Sequence, residues 1–251
     1  MPNLMRTSNP AMNLKAFQGQ GAVAIGERMT VAGTVNKTGI LLCCAVLTAA
    51  WTWTRFLHFG AQAVAIPIGV GAIGGLIFAI ATIFKKEWSP ITAPIYALLE
   101  GMVLGGISAL VDARAPGIAI QAVTLTFGTL IVLLLAYRSG LIKVTDKFRL
   151  GVVAATGGIA LLYVLTMVLS LFHIQAFAPL YQAGAIGIGF SLLVVVIASL
   201  NLVLDFDFIE TAAQIGVPKY MEWYAGFGLM VTLIWLYLEI LRLLSKLRSR
   251  R

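Results

Sequence analysis

The most constraining feature of this chain is a stretch of 55 residues, 150–204, that contains no Asp, Glu, Lys or Arg. A soluble domain needs charged residues on its surface, so a run of this length has no place in one. The hydrocarbon core of a bilayer takes about 20 apolar residues in a helix. The run is therefore too long for one crossing, and the segment HIQAFAP at 173–179 divides it into two membrane spans.

The composition of the whole chain leads to the same class of protein. Only 11% of its residues are charged, against about 25% in soluble proteins. This excludes a soluble globule, a coiled coil and a disordered chain. The net charge of +8 comes from Lys and Arg scattered between apolar runs. The lipid bilayer is therefore the expected partner, and nucleic acid is not.

Charged residues and turn-like segments divide the chain into seven apolar runs. The predicted spans lie near 38–54, 62–84, 91–111, 115–137, 150–172, 180–204 and 222–244. Backbone groups in lipid must bond within their own segment, so each span is expected to be a helix. We predict an all-α membrane protein, a seven-transmembrane-helix bundle. Its membrane domain would cover residues 38–244, between a cytoplasmic N-terminal segment, 1–37, and a basic C-terminal tail, 245–251.

The distribution of Lys and Arg predicts the orientation of the bundle. With seven crossings, the side of the N-terminus carries 11 basic residues, and the loops of the other side carry only Arg55 and Arg114. Basic loops favour the cytoplasm, so the N-terminus is expected there. The basic tail opposes this rule if the last run crosses fully. A re-entrant last segment is the alternative, and full crossing with a periplasmic C-terminus is the favoured topology.

Acidic residues inside or beside the spans are the candidate functional groups, because charge in a membrane is costly. Glu100 lies near mid-depth of the third span, beside Gly101 and Gly105, which suit close helix packing. It is interpreted either as a buried neutral acid that orders packing or as a site that carries protons or binds ions.

The densest acidic group is NLVLDFDFIE at 201–210, near the end of the sixth span. Helical spacing places Asn201 and Asp205 on one face, and Asp207 and Glu210 on another. Carboxylates suit hard cations, so Asp205 and Asp207 are candidate Ca²⁺ ligands. Close carboxylates also share protons, which makes the group a candidate proton sensor. The alternative is a solvated helix end.

The last span carries two more candidates. Glu239 and Arg242 are three residues apart and are expected to form an ion pair within the helix. Glu222 lies at the start of this span, on the same side of the membrane as Asp205. No nucleophile–base pattern, zinc motif or phosphate loop is present in the sequence. The protein is therefore not expected to be an enzyme or to hold a cofactor.

Four segments, taken in order, resemble the bacterial branch of the Bax inhibitor-type family, the transmembrane BAX-inhibitor-motif proteins. They are MTVAGTVNKTGILL, YALLEGMVLGGIS, LNLVLDFDFIE and GFGLMVTLIWLYLEILRLLSKL. The resemblance covers the chain from about residue 29 to its end. It implies seven helices with the last one central, wrapped by the other six. It also implies a pH-sensitive calcium leak, gated by a pair of aspartates on the sixth and last helices.

The family's pair of aspartates matches this chain only in part. The sixth-helix aspartate corresponds to Asp205 or Asp207. On the last helix, one alignment places Glu239 at the partner position, and another places Thr232 there. Helix geometry gives Glu222 as a third possibility, because Glu239 would lie about 25 Å further along the helix.

The resemblance and the acidic group together predict a pH-sensitive calcium leak channel of the bacterial plasma membrane, with Ca²⁺ or H⁺ as cargo. One alternative is a membrane protein that transports nothing and binds a membrane protease or another membrane protein. Its basis is the scarcity of intramembrane charge, because a hydrated ion path needs polar lining. The other alternative is a proton-coupled transporter of small solutes that uses Glu100.

Overall fold

The computed structural model describes residues 27–174 and 177–250, and within these ranges the regular structure is helical apart from one isolated β-bridge. A short 3₁₀ turn, Lys86–Trp88, precedes the third helix. The helices are α1 Val31–Phe59, α2 Gln62–Phe84, α3 Ser89–Asp112, α4 Ile118–Arg138, α5 Asp146–Leu171, α6 Ala178–Tyr181, α7 Ala185–Ile215 and α8 Met221–Arg248.

Seven of these helices are long and apolar enough to cross a membrane, and α6 is a single turn between two of them. This confirms the all-α membrane bundle and the division of the long uncharged run. Several helices extend past the predicted spans. α1 begins at Val31 instead of 38, α7 continues to Ile215 instead of 204, and α8 continues to Arg248 instead of 244. The last turn of α1 contains His58. Charge marks where lipid ends, whereas a helix can continue into the interface.

The chain passes back and forth between two ends of the bundle. We call the end where α1 begins the near end, and the end where α8 finishes the far end. At the near end, the Met29 N–H donates to the Val217 carbonyl, and the Ser89 hydroxyl donates to the Tyr220 carbonyl. At the far end, Arg248 donates to the Pro116 carbonyl. α8 therefore runs the full length of the bundle and does not fold back.

α8 is the central helix. It packs against α1, α3, α4 and α7, and most of its length is buried, including Tyr224, Phe227, Met230 and Leu236. α2 packs mainly on α3, and α5 packs mainly on α7. The resemblance implied a last helix wrapped by all six others. In the structure α1, α3, α4 and α7 pack along it, α5 reaches it through the Tyr163 side chain, and α2 packs mainly on α3.

Glycines bring α1 and α3 together. A Cβ at Gly101 would overlap the side chain of Thr48, and a Cβ at Gly105 would overlap the backbone of Ala49. The small side chains let the two backbones approach closely, as lipid-embedded helices require for good packing. The predicted packing role of these two glycines is confirmed.

Candidate functional site

The acidic residues of α7 point in different directions. Asp205 and Asn201 are buried, with 1% and 3% of their surfaces exposed. Glu210 is exposed, and Asp207 is partly exposed. The predicted division into two faces is therefore observed. A fully solvated helix end does not describe Asp205, because α7 continues ten residues beyond it to Ile215.

Asn201 ties α7 to α5 beside Asp205. Its side-chain amide donates to the Thr156 hydroxyl and to the Ile197 carbonyl, both at 2.8 Å. Thr156 belongs to α5, and Ile197 lies one turn earlier on α7. The amide thus has defined partners on both helices, which holds the buried polar face of α7 in a fixed position against α5.

The position on α8 that faces Asp205 follows from a contact at the far end. There the Lys246 ammonium donates to the Ser191 hydroxyl at 2.8 Å, which sets α7 and α8 in register. The two helices run in opposite directions. Equal steps along each, from 191 to 205 and from 246 to 232, arrive at Asp205 and Thr232. Thr232 is buried, with 4% exposed.

Glu222 is not at that level. It lies about 15 Å along α8 from Thr232, at the near end, and its carboxylate accepts from the N–H and the hydroxyl of Thr30 at 3.1 and 3.0 Å. Thr30 is the residue that caps the start of α1. A Cβ at Gly33 would overlap this carboxylate. The structure therefore does not bring Glu222 and Asp205 together. Glu222 instead bonds α8 to the start of α1.

Asp207 and Glu210 make contacts at the near end with other helices. The Arg149 guanidinium of α5 forms an ion pair with Asp207 at 2.6 Å. The Tyr137 hydroxyl of α4 donates to Glu210 at 2.6 Å. Asp205 and Asp207 therefore lie in different environments, one buried and one paired with Arg149. Among the described residues, no group of three or more His, Cys, Asp or Glu side chains is placed to hold a metal ion.

Glu239 is the centre of a buried ionic group towards the far end. Its carboxylate, 2% exposed, accepts from Arg242 at 2.8 and 3.0 Å and from the Tyr163 hydroxyl of α5 at 2.7 Å. Arg242 also donates to Tyr163 at 3.0 Å. The predicted ion pair within α8 is present. It is joined to α5 through Tyr163, a residue that the sequence pattern did not single out.

Lys246 is a buried charged residue that the sequence did not single out, because it was grouped with the basic tail. Only 6% of it is exposed. Its ammonium donates to the carbonyls of Leu180 and Gly187, at 2.8 and 3.0 Å, in addition to Ser191. The spacing of Lys246 from Glu239 could have indicated that it is buried. Glu239 and Lys246 are seven residues apart, which is two helical turns, and so share a face of α8.

Glu100 lies apart from these residues. It is half-buried on α3, close to the Tyr96 hydroxyl one turn earlier on the same helix. A Cβ at Gly75 of α2 would lie 3.1 Å from its Oε1. Gly75 thus leaves the space that the carboxyl occupies between α2 and α3. This placement fits an acid that orders helix packing.

Buried polar groups follow one another along α7 and α8, and we call this series the polar seam. Its members, from the near half to the far end, are Asp205, Thr232, Asn201, Glu239, Ser191 and Lys246. The surrounding residues of both helices are mostly apolar. The seam has a carboxyl group, that of Asp205, at its near-half end and is basic at the far end, where Arg242 and Lys246 outnumber Glu239. Such a series combines oxygen atoms in the near half with positive charge at the far end.

Comparison with known families matches residues 9–249 of this chain to the family described as Bax inhibitor 1 like. No curated protein and no solved structure matches the chain.

Proposed function

Because the chain belongs to the Bax inhibitor 1-like family and has seven helices able to cross a membrane, we propose that it is a pH-sensitive cation leak. Calcium is the proposed cargo, and the bacterial plasma membrane is the proposed location. The near end would face the cytoplasm, as the basic residues of its loops favour. The protein would carry out no chemical reaction.

The observation that carries this proposal is the polar seam. Carboxyl groups, an amide and hydroxyls succeed one another along α7 and α8, in a bundle whose interior is otherwise largely apolar. Buried polar groups in a membrane are expensive and mark ion or proton paths. Carboxylate oxygens and amide carbonyl oxygens, which Asp205, Glu239 and Asn201 carry, are also ligands that calcium prefers.

Asp205 is the proposed proton-sensitive gate. It is buried at the level of Thr232, so α8 supplies a hydroxyl there and not a second carboxylate. A neutral Asp205 is compatible with tight packing of α7 on α8, whereas a charged one in a dry interior is costly. Loss of its proton would favour separation of the two helices and entry of water. The leak should therefore increase as the pH at the near end rises.

The far end would be the closed mouth of the same path. Arg242 and Lys246 place two positive charges near Glu239. Lys246, on α8, also bonds the α6 segment and α7. A cation approaching from this side would meet repulsion before it met Glu239. The structure would thus represent a closed state, in which both α7 and the α6 segment must move before ions pass.

Calcium flux into vesicles tests the proposal directly. The purified protein would be reconstituted into vesicles that contain a calcium-sensitive dye, and empty vesicles would be the control. We expect calcium entry that needs no energy source and that differs between two pH values on either side of neutrality. Flux equal to that of empty vesicles at both pH values would contradict the leak.

A second candidate is a membrane protein that transports nothing and restrains a membrane protease or other membrane protein. One observation favours it: Asp207, Glu210, Glu222 and Glu239 each bind a residue that fastens neighbouring parts of the bundle. These carboxylates would then be structural. Absence of flux together with retention of a membrane protease on the immobilised protein would support this candidate. Glu100 lies outside the seam, between α3 and α2, so the seam supports the leak and adds no support to a proton-coupled transporter that uses Glu100.

A further inference from the structure

A long apolar groove opens on the side of the bundle. α1 and α4 form its walls, and α3 and α8 form its floor; its volume is about 420 Å³. The hydroxyls of Ser108 and Tyr237, in the floor, bond each other at 2.6 Å. The polar groups of the floor therefore satisfy one another, and the groove presents an apolar surface.

The position and length of the groove match one leaflet of a bilayer. Along α1 it reaches from Leu42 to Trp53, and along α4 from Ala119 to Phe127. The first of these stretches is about 16 Å of helix, close to half of the roughly 30 Å hydrocarbon core. Because α4 begins at Ile118 at the far end, the groove occupies the far half of the bundle. A straight hydrocarbon chain in the far leaflet would have this depth and direction.

Two basic residues lie where the groove meets the far end of the bundle. Arg114 is exposed in the loop before α4, and Arg248 is held beside the same loop through the Pro116 carbonyl, at 2.8 Å. Among the described residues of this loop and its flanking helix ends, the one carboxylate is that of Asp112, which accepts from the Ala119 N–H at 3.1 Å. Two guanidinium groups against one engaged carboxylate leave a net positive rim. Membrane proteins usually carry few basic residues on the side opposite the cytoplasm. The presence of Arg114 and Arg248 on that side therefore needs a separate explanation.

We propose that this groove binds an anionic phospholipid of the far leaflet. One acyl chain would lie between α1 and α4, and the phosphate would face Arg114 and Arg248. Guanidinium groups pair well with phosphate oxygens, and each basic residue near an anionic headgroup contributes about 1 kcal/mol. The site is separate from the polar seam, and this proposal does not depend on the calcium leak.

Native mass spectrometry of the purified protein would measure this binding, with phosphatidylglycerol and phosphatidylcholine of identical acyl chains added in turn. We expect one phosphatidylglycerol to be retained more tightly than phosphatidylcholine. Arg114→Gln should weaken phosphatidylglycerol binding about fivefold, the equivalent of one basic contact. Arg55→Gln is the matched control, because Arg55 is also at the far end but stacks on Trp51 and Phe59 of its own helix.

Filling the groove supplies the second arm of the test. Val46 is 60% exposed in the groove wall and Val70 is 53% exposed on α2, away from the groove, so both accept a larger side chain without disturbing the core. We expect Val46→Phe to abolish retention of the lipid and Val70→Phe to leave it unchanged. Equal binding of the two lipids, or equal effects of the two variants, would overturn the proposal. A change in oligomeric mass on Val46→Phe without a change in lipid binding would also overturn it and assign the groove to a second copy.

Discussion

At the scale of single residues, the ammonium group of Lys246 connects the end of α8 to the chain around α6 and to α7. Lys246→Met keeps the length of the side chain but leaves the carbonyls of Leu180 and Gly187 and the Ser191 hydroxyl without this donor. We expect it to lower the free energy of unfolding by about 1–3 kcal/mol, the cost of leaving buried acceptors unsatisfied. Thermal unfolding in detergent would measure this loss.

Lys143 is the matched control for that change, because it is exposed in the loop between α4 and α5. Lys143→Met should alter stability by less than about 0.5 kcal/mol. A Lys246 variant as stable as the Lys143 variant would show that the three contacts at the far end do not hold the helices together.

The sequence identified which residues were unusual but not always what they touch. Acids in apolar runs are conspicuous, so Asp205, Glu239 and Glu222 were found as candidates. Their partners are distant in sequence: Thr30 for Glu222 and Tyr163 for Glu239. Helical periodicity reports which residues share a face, but it carries no information on which neighbouring helix that face meets. The sequence left three positions of α8 open as the partner of Asp205 for the same reason.

At the scale of helices, α1 and α3 depend on glycine at their contact. Gly105→Ala would place a Cβ against the backbone of Ala49, which cannot move without shifting α1. We expect this substitution to destabilise the protein by about 1–3 kcal/mol, the usual cost of overpacking. The measurement is the midpoint of thermal unfolding.

Gly128 on α4 provides the comparison, because a Cβ there would have no heavy atom within 4 Å. Gly128→Ala should be neutral or should stabilise the protein by up to about 1 kcal/mol, since alanine favours a helix. If both alanine variants behaved alike, close packing at Gly105 would not be what holds α1 against α3.

The existence and order of the seven helices could be predicted because the apolar runs are long and the breaks between them are marked by charge or turn residues. The ends of the helices could not. α1, α7 and α8 each extend beyond the uncharged run, because basic and acidic residues remain helical outside the hydrocarbon core. α8 was expected at the centre from the family resemblance alone, and the outer positions of α2 and α5 depend on packing that no sequence pattern showed.

At the scale of the whole molecule, the path of α8 from the near end to the far end determines the sides of the two termini. We predict that a reporter fused after Lys143, in the near-end loop between α4 and α5, is cytoplasmic and that one fused after Arg251 is on the opposite side of the membrane. The near end carries most of the basic loop residues, which favours the cytoplasm. Activity of paired cytoplasmic and periplasmic reporters would measure this, and a cytoplasmic signal from the C-terminal fusion would contradict a full seventh crossing.

The central claim is that Asp205 links pH to the opening of the α7–α8 seam, and the pH dependence of calcium flux in Asp205→Asn tests it most directly. Vesicles containing the unaltered protein should show flux that increases as the pH at the near end rises. Asp205→Asn, whose amide cannot lose a proton in this range, should show flux that no longer changes with pH. Glu210→Gln is the control, because Glu210 is exposed and binds Tyr137 away from the seam, and it should retain the response. An Asp205→Asn protein whose calcium flux follows pH as the unaltered protein does would contradict the account.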